Sequence, residues 1–246
     1  MNKHIANFLR KFNEVIKDGE ILRSIARDSE LQLQACRNLE QKILEVRNEK
    51  ERAIEKQDED YANCLLGCEC SARTVLAELR MWLLLKDERP EDAWNELITA
   101  QDSLLAAMRA HSGFSHLIDA VKRLTAIEEL VFPPQIFMSA GLVVRTQLCS
   151  MCGTDYEDCD HVAGRPYMGK FCAIVVGDLE ADHISIVDRP ADKRCRVLSF
   201  ETKDGYRNRM TWKLEKRSDA EGSSEKQVNS SVQSGLKVNA IIMRTD

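Results

Sequence analysis

From the first residues to about 131, apolar positions recur at spacings of three and four, the period of a helix with one buried face. Ile5, Leu9, Phe12 and Ile16 mark a first helical face that ends near Gly19. Leu22, Ile25, Leu33, Cys36, Leu39, Ile43 and Val46 then predict a stripe of coiled-coil character. Residues 47–60, RNEKERAIEKQDED, keep helix formers but thin to Ala53 and Ile54 on the apolar side. That thinning predicts an exposed continuation of the helix or the tip of a hairpin, with a solvated face. Apolar text resumes at Tyr61–Leu85 through Leu65, Leu66, Leu76, Leu79, Trp82 and Leu83. Pro90 suits a first helical turn and is followed by Glu91 and Asp92, which favour the positive end of the helix dipole. That helix runs through Trp94, Leu97, Ile98, Leu104, Leu105 and Met108. Ser112-Gly113 ends it, and Ser115 is placed to cap one more helix through Leu117, Val121, Leu124 and Leu130.

The pattern changes at Phe132-Pro133-Pro134, the expected domain boundary. Beyond it, 136–148 (IFMSAGLVVRTQL) has the β-branched and aromatic flavour of strand and loop. Short strands are expected at 173–176, 183–187, 196–200 and 206–214, with Asp204-Gly205 as a hairpin turn. The polar, Ser- and Gly-enriched stretch 215–235 reads as a flexible segment, and 236–243 as a terminal strand. The fold class predicted is therefore α+β. A helical bundle with a long coiled-coil-like helix spans 1–131, and a small, mostly antiparallel β domain spans 132–246.

The chemistry concentrates in Cys149–Cys172, CSMCGTDYEDCDHVAGRPYMGKFC, which holds four of the nine cysteines and one of the five histidines. Zinc takes four tetrahedral thiolate or imidazole ligands, and a two-residue gap lets one tight turn present two of them. Gly153 after Cys152 eases that turn. Five donors compete for four positions. The assignment is Cys149, Cys152, Cys159 and His161 as ligands of a structural Zn2+, with Cys172 as an alternate ligand or a close neighbour of the site. A filled set of this kind leaves no position for water or substrate, so the zinc reads as a staple rather than a catalyst. A second thiol group, Cys64, Cys68 and Cys70, places Cys64 and Cys68 on one helical face, and reads as buried small hydrophobes.

Composition narrows the function classes. Hydrophobic residues at 43% are enough for a packed core, and a net charge of -5 gives no general attraction to nucleic acid or anionic membrane. No apolar run approaches the roughly 18–20 residues of a membrane span, and the charged, amphipathic first twenty residues do not read as a secretory signal. A soluble cytoplasmic protein with reduced thiols is expected. Charge is uneven, however. Residues 189–217 carry ten basic and four acidic residues, interleaved with Phe200, Tyr206 and Trp212. Arg194, Arg196, Arg207, Arg209 and Lys213 are thus candidates for nucleic-acid contact. Alternation over 207–212 would put Arg207, Arg209 and Thr211 on one side, and Asn208, Met210 and Trp212 on the other.

Two local resemblances bear on catalysis. CSMCG followed by CDHV resembles the beginning of an HNH-type endonuclease, but no asparagine lies between 149 and 207 and Cys172 stands alone. DHISIVDRPAD (182–192) resembles a strand-and-turn phrase of phage capsid-maturation proteases, without their catalytic context. Neither supplies a catalytic set, nor does any Gly-x-Ser-x-Gly or His-Glu-x-x-His motif. The function expected is a non-enzymatic adaptor or structural subunit that meets a protein partner, or a second copy, through its helical half. Nucleic-acid binding through the basic hairpin is the first alternative and an HNH-like nuclease or phage-type hydrolase the second.

Overall fold

A computed structural model describes residues 3–215 and 238–240. Among the described residues five α-helices come first: α1 (Lys3–Ile21), α2 (Ser29–Glu55), α3 (Glu59–Lys86), α4 (Pro90–Ala110) and α5 (Ile118–Val131). The strands follow: β1 (Phe137–Cys149), β2 (Pro166–Tyr167), β3 (Lys170–Phe171), β4 (Ile174–Val187), β5 (Val197–Thr202), β6 (Gly205–Asn208), β7 (Leu214–Glu215) and β8 (Val238–Ala240). The architecture is α+β, as the change of period near residue 132 predicts. Among the described residues no helix is long and apolar enough to cross a membrane.

The chain forms two compact units. One joins residues 1–130 with Leu142–Glu180; the other takes Val131–Gly141 and the described residues from Ala181 onward. This grouping differs from a single cut at 131/132, because the cysteine-rich stretch packs with the helices.

In the first unit α3 is central. From Ala62 to Trp82 it buries residues on every side, among them Leu65, Leu66, Cys68, Leu76, Leu79 and Met81. A helix so covered needs no single apolar stripe. The hairpin tip predicted in 47–60 is Lys56–Asp58, where Gln57 takes φ 55° and the Asp58 carboxylate accepts from the Tyr61 N–H at 3.2 Å, capping α3. The α2 stripe is partly as expected. Cys36, Leu39, Ile43 and Val46 are buried against α1 and α3, while Ile25 and Leu33 stay outside at 48% and 40% exposure. The chain leaves helical geometry between α1 and α2, which breaks the phase of the stripe. Gln32 occupies the buried position instead. Its amide donates to the carbonyls of Leu22 and Ser24, 2.9 Å each, and accepts from Lys86 Nζ at 2.6 Å. The last helix begins at Ile118 after a 3-10 turn over Ser112–Leu117, three residues beyond the expected cap.

Between α3 and α5 lies a buried ionic knot. Glu78, fully buried, accepts from Arg23 Nη1 at 3.3 Å, Arg123 Nη1 at 2.6 Å and Trp82 Nε1 at 3.4 Å. Arg123 also donates to the Arg23 carbonyl at 3.1 Å. Leu124 is the one fully buried side chain of α5, so these bonds carry much of its attachment.

Among the described residues the later strands form three small groupings: β1 with β4, antiparallel β2 with β3, and an antiparallel sheet in the order β7-β6-β5-β8. The separate strands expected at 173–176 and 183–187 are one 14-residue strand, β4, paired to the 13-residue β1. In the last sheet, Thr202 pairs with Gly205, so the turn centres on Lys203 and Asp204, with the positive φ on Gly205 (139°). The strand expected over 206–214 ends at Asn208. The Asn208 carboxamide oxygen accepts from the Met210 and Thr211 N–H groups at 2.8 and 2.9 Å, turning the chain into β7. Alternation therefore stops there: Met210 is buried and Trp212, at φ 57°, is exposed. Most of the expected 215–235 segment and the ends of the 236–243 strand lie outside the described residues.

Replacing Glu78 by alanine removes the acceptor of two guanidinium groups. It is expected to lower the unfolding free energy by about 3–5 kcal/mol. Urea denaturation followed by helical circular dichroism checks this, and a loss below about 1 kcal/mol would show the knot to be dispensable.

Candidate metal centre

The stretch after β1 folds as a knuckle. The Gly153 N–H donates to the Cys149 carbonyl at 2.8 Å, and the Cys149 N–H donates to the Thr154 carbonyl at 2.9 Å. Gly153 takes φ 74°, the left-handed turn its position after Cys152 predicts. The Met151 N–H points at Cys149 Sγ, 3.4 Å away. A 3-10 turn at Tyr156–Asp158 then brings Cys159 and His161 back over the knuckle. The loop after His161 is held by two phenols: the Val162 N–H donates to Tyr167 Oη at 3.0 Å and the Ala163 N–H to Tyr156 Oη at 2.9 Å. The Tyr167 ring also meets the His161 imidazole edge to face at 4.9 Å.

This folding brings the four predicted ligands together. One donor atom each from Cys149, Cys152, Cys159 and His161 lies within 4.8 Å of the others. Cys172 stays outside that group but close, its Sγ 3.8 Å from Cys149 Sγ. His161 Nδ1 is buried without a hydrogen-bond partner, a costly state for a polar atom that a bound cation would relieve.

The thiols differ in acidity. Burial pushes Cys149 up, but the N–H groups of Cys152 and Met151 and the adjoining thiols outweigh it and bring it down to about 7. The Thr154 hydroxyl and N–H lower Cys152. Burial and the neighbouring thiols Cys149 and Cys152 push Cys159 up to about 11, and burial with Cys149 raises Cys172. Packed sulfurs cannot all ionise side by side. A divalent cation removes that obstacle by displacing the remaining protons.

Sequence reading missed the seat of the knuckle. Tyr167 pairs with Lys170, so the tight turn of β2–β3 is Met168-Gly169, both at positive φ (44° and 72°). The Tyr-Met-Gly-Lys run carries that signal in its glycine. The turn lies on the start of α3. Its Met168 N–H donates to Glu59 Oε1 at 3.3 Å and its Gly169 N–H to Asn63 Oδ1 at 2.8 Å. The Phe171 ring joins Leu66, Cys70, Ala107 and Ala110, and the Arg109 guanidinium sits 5.6 Å from its centroid. The Lys50 stem packs against Gly169, while its ammonium bonds Glu69 at 2.8 Å.

The basic candidates are placed differently. Arg196 is buried, with 3% exposure, and cannot present its charge to a phosphate. Arg194 pairs with Asp192 at 3.0 Å, Arg207 donates to the Trp212 carbonyl at 2.8 Å, and Arg209 donates to the Pro134 carbonyl at 3.1 Å. Lys213 is exposed. His183, in β4, faces Asp182 at 3.0 Å. Cys68 and Cys70 are buried and Cys64 half-buried, in keeping with their packing role.

The chain is thus an α+β protein with a Cys3His cluster able to hold a metal ion. Comparison with protein-family models finds no match, and searches of curated proteins and of solved structures find none either.

Glu69 tests the support beneath this site. Burial raises its carboxyl, but Lys50, Arg47 and Arg73 outweigh that and hold it below the usual carboxylate range. A depressed folded value contributes stability above the unfolded value and loses it as pH falls through the folded one. Glu69→Gln is therefore expected to cost about 1–3 kcal/mol at pH 7, and the gap to wild type should close on acidification. Denaturation midpoints from pH 7 to 3 check it; a gap constant with pH would contradict it.

Proposed function

We propose that this chain is a non-enzymatic structural or adaptor subunit whose Cys149, Cys152, Cys159 and His161 hold a structural zinc ion. The observation that carries the reading is the convergence of three thiols and an imidazole, with His161 Nδ1 buried and unpartnered. Zinc suits soft thiolate and borderline imidazole donors, and four of them fill its tetrahedron. Held this way, the ion fixes the knuckle that seats Met168, Gly169 and Phe171 on α3 and α4. Thiolate ligation fits a reducing cytoplasm.

Adaptor activity is assigned to the helical unit. Its inward stripe is used within the chain, yet Ile21, Ile25, Leu31, Leu44, Ile118 and Leu130 keep between 48% and 86% of their surface exposed. Such residues suit contact with a protein partner or a second copy of the chain. The nucleic-acid reading is weaker, since Arg196 is buried and Arg194, Arg207 and Arg209 donate within their own unit.

Native purification with metal analysis and light scattering tests this. About one zinc per chain is expected, with a mass above that of the monomer or a co-purifying protein. Cys152→Ser should lose the metal, and chelation should lower the melting temperature of the wild type but leave that variant unmoved. A metal-free, monodisperse monomer that captures nothing would overturn the proposal.

A further inference from the structure

Five soft donors gather where tetrahedral zinc takes four. With Cys149, Cys152, Cys159 and His161 assigned, Cys172 is a thiol held beside a ligand, 3.8 Å from Cys149 Sγ. The main chain next to both is clamped. The Ser150 N–H donates to the Ala173 carbonyl at 2.9 Å, and the Ala173 N–H donates to Ser150 Oγ at 2.8 Å. A disulfide needs its sulfurs about 2 Å apart, so joining this pair asks for side-chain movement of roughly 2 Å. Access differs sharply across the cluster. Cys149 and Cys172 are buried, at 1% and 2% exposure, whereas Cys152 is exposed.

Resting on the zinc reading, we propose that Cys152, Cys149 and Cys172 form a peroxide-driven thiol relay that releases the metal and stores the oxidation as a buried Cys149–Cys172 disulfide. The Cys152 thiolate attacks one oxygen of hydrogen peroxide; the O–O bond breaks, leaving a Cys152 sulfenic acid and a hydroxide. The Cys149 thiolate attacks the Cys152 sulfur, the S–O bond breaks, and a second hydroxide leaves as the Cys149–Cys152 disulfide forms. Cys172 gives its proton to one hydroxide, making water, and its thiolate attacks the Cys149 sulfur. The Cys152 thiolate is expelled and the Cys149–Cys172 bond remains. In total, Cys149 and Cys172 lose two electrons, and peroxide is reduced to one water and one hydroxide. The site is left with three donors, and zinc departs.

The full-length, zinc-loaded protein is the test material. Hydrogen peroxide is added, zinc release is followed with a colorimetric chelator, and thiols are tagged before and after reduction for peptide mass spectrometry. The relay predicts release of about one zinc per chain, with Cys149 and Cys172 as the reducible pair and Cys152 recovered as a free thiol. Dithiothreitol with added zinc should reload the site. Cys172→Ser should load zinc to the wild-type level, yet after peroxide retain a Cys149–Cys152 bridge or an over-oxidised Cys152. Release from wild type while Cys172 stays free overturns the relay. So does a Cys172→Ser variant that loads no zinc, because Cys172 would then be a ligand. A wild-type chain that takes up no zinc sinks the metal reading itself, which is a separate outcome.

Discussion

The covering of α3 is the constraint on which the first unit depends. From Ala62 to Trp82 this helix has buried residues on every side, and each neighbour is placed by the part it covers. α1 and α2 close one flank through Phe12, Leu39, Ile43 and Val46, and α4 closes another through Trp94, Leu97 and Leu104. A helix surrounded in this way has to satisfy its few polar side chains internally. Glu69 and Glu78 are buried there, and each is met by at least two cationic groups. Removing one partner of such a group costs far more than the pair contributes on its own. The two glutamates therefore tie the neighbouring helices to particular positions on α3, which apolar packing alone specifies less sharply.

The cysteine knuckle follows the same logic at the start of α3. Its hairpin turn spends two N–H groups on Asn63 and Glu59, and its Phe171 fills space among Leu66, Cys70, Ala107 and Ala110. These contacts place the cluster on a rigid helical base. Four donors on such a base, once filled by a cation, leave no open position for substrate and would act by fixing backbone. The same arrangement explains the uneven acidity of the thiols. Backbone N–H groups favour the charge on Cys149, while burial and the sulfurs beside it oppose charge on Cys159. Three sulfurs and an imidazole in so small a volume are mutually compatible when a cation sits among them.

How far the sequence could be read depended on whether a signal was local. Helix period, Pro90 at a first turn and the Cys-x2-Cys-Gly spacing are local, and the helices and the four converging donors follow them. The limits of α1 and α2 were less legible. Gln32 is buried because it bonds the Leu22 and Ser24 carbonyls and Lys86, and no hydropathy pattern marks a glutamine as core. Placement of the knuckle on α3 was also hidden, since it rests on Asn63 and Glu59, more than a hundred residues from the turn they hold. Cys172 matched the ligand spacing as well as its neighbours did. Only three-dimensional proximity separates it from the group of four.

Charge in the last sheet shows why a local excess of basic residues does not by itself make a binding face. Ten cations against four anions over 189–217 suggested a positive strip, on the assumption that a continuous strand would carry the arginines outward. Asn208 ends that strand by accepting from the Met210 and Thr211 N–H groups, so the alternation that would align Arg207 with Arg209 stops between them. Their guanidinium groups then meet carbonyl oxygens, of Trp212 and Pro134, that turns leave without strand partners. Arginine serves this role well because its planar fork of donors reaches several acceptors at once. A cation used to satisfy backbone keeps its charge but loses donors and freedom to follow a phosphate. Arg207 and Arg209 thus serve carbonyls that the turns present, and of the five candidate residues Lys213 is the exposed one.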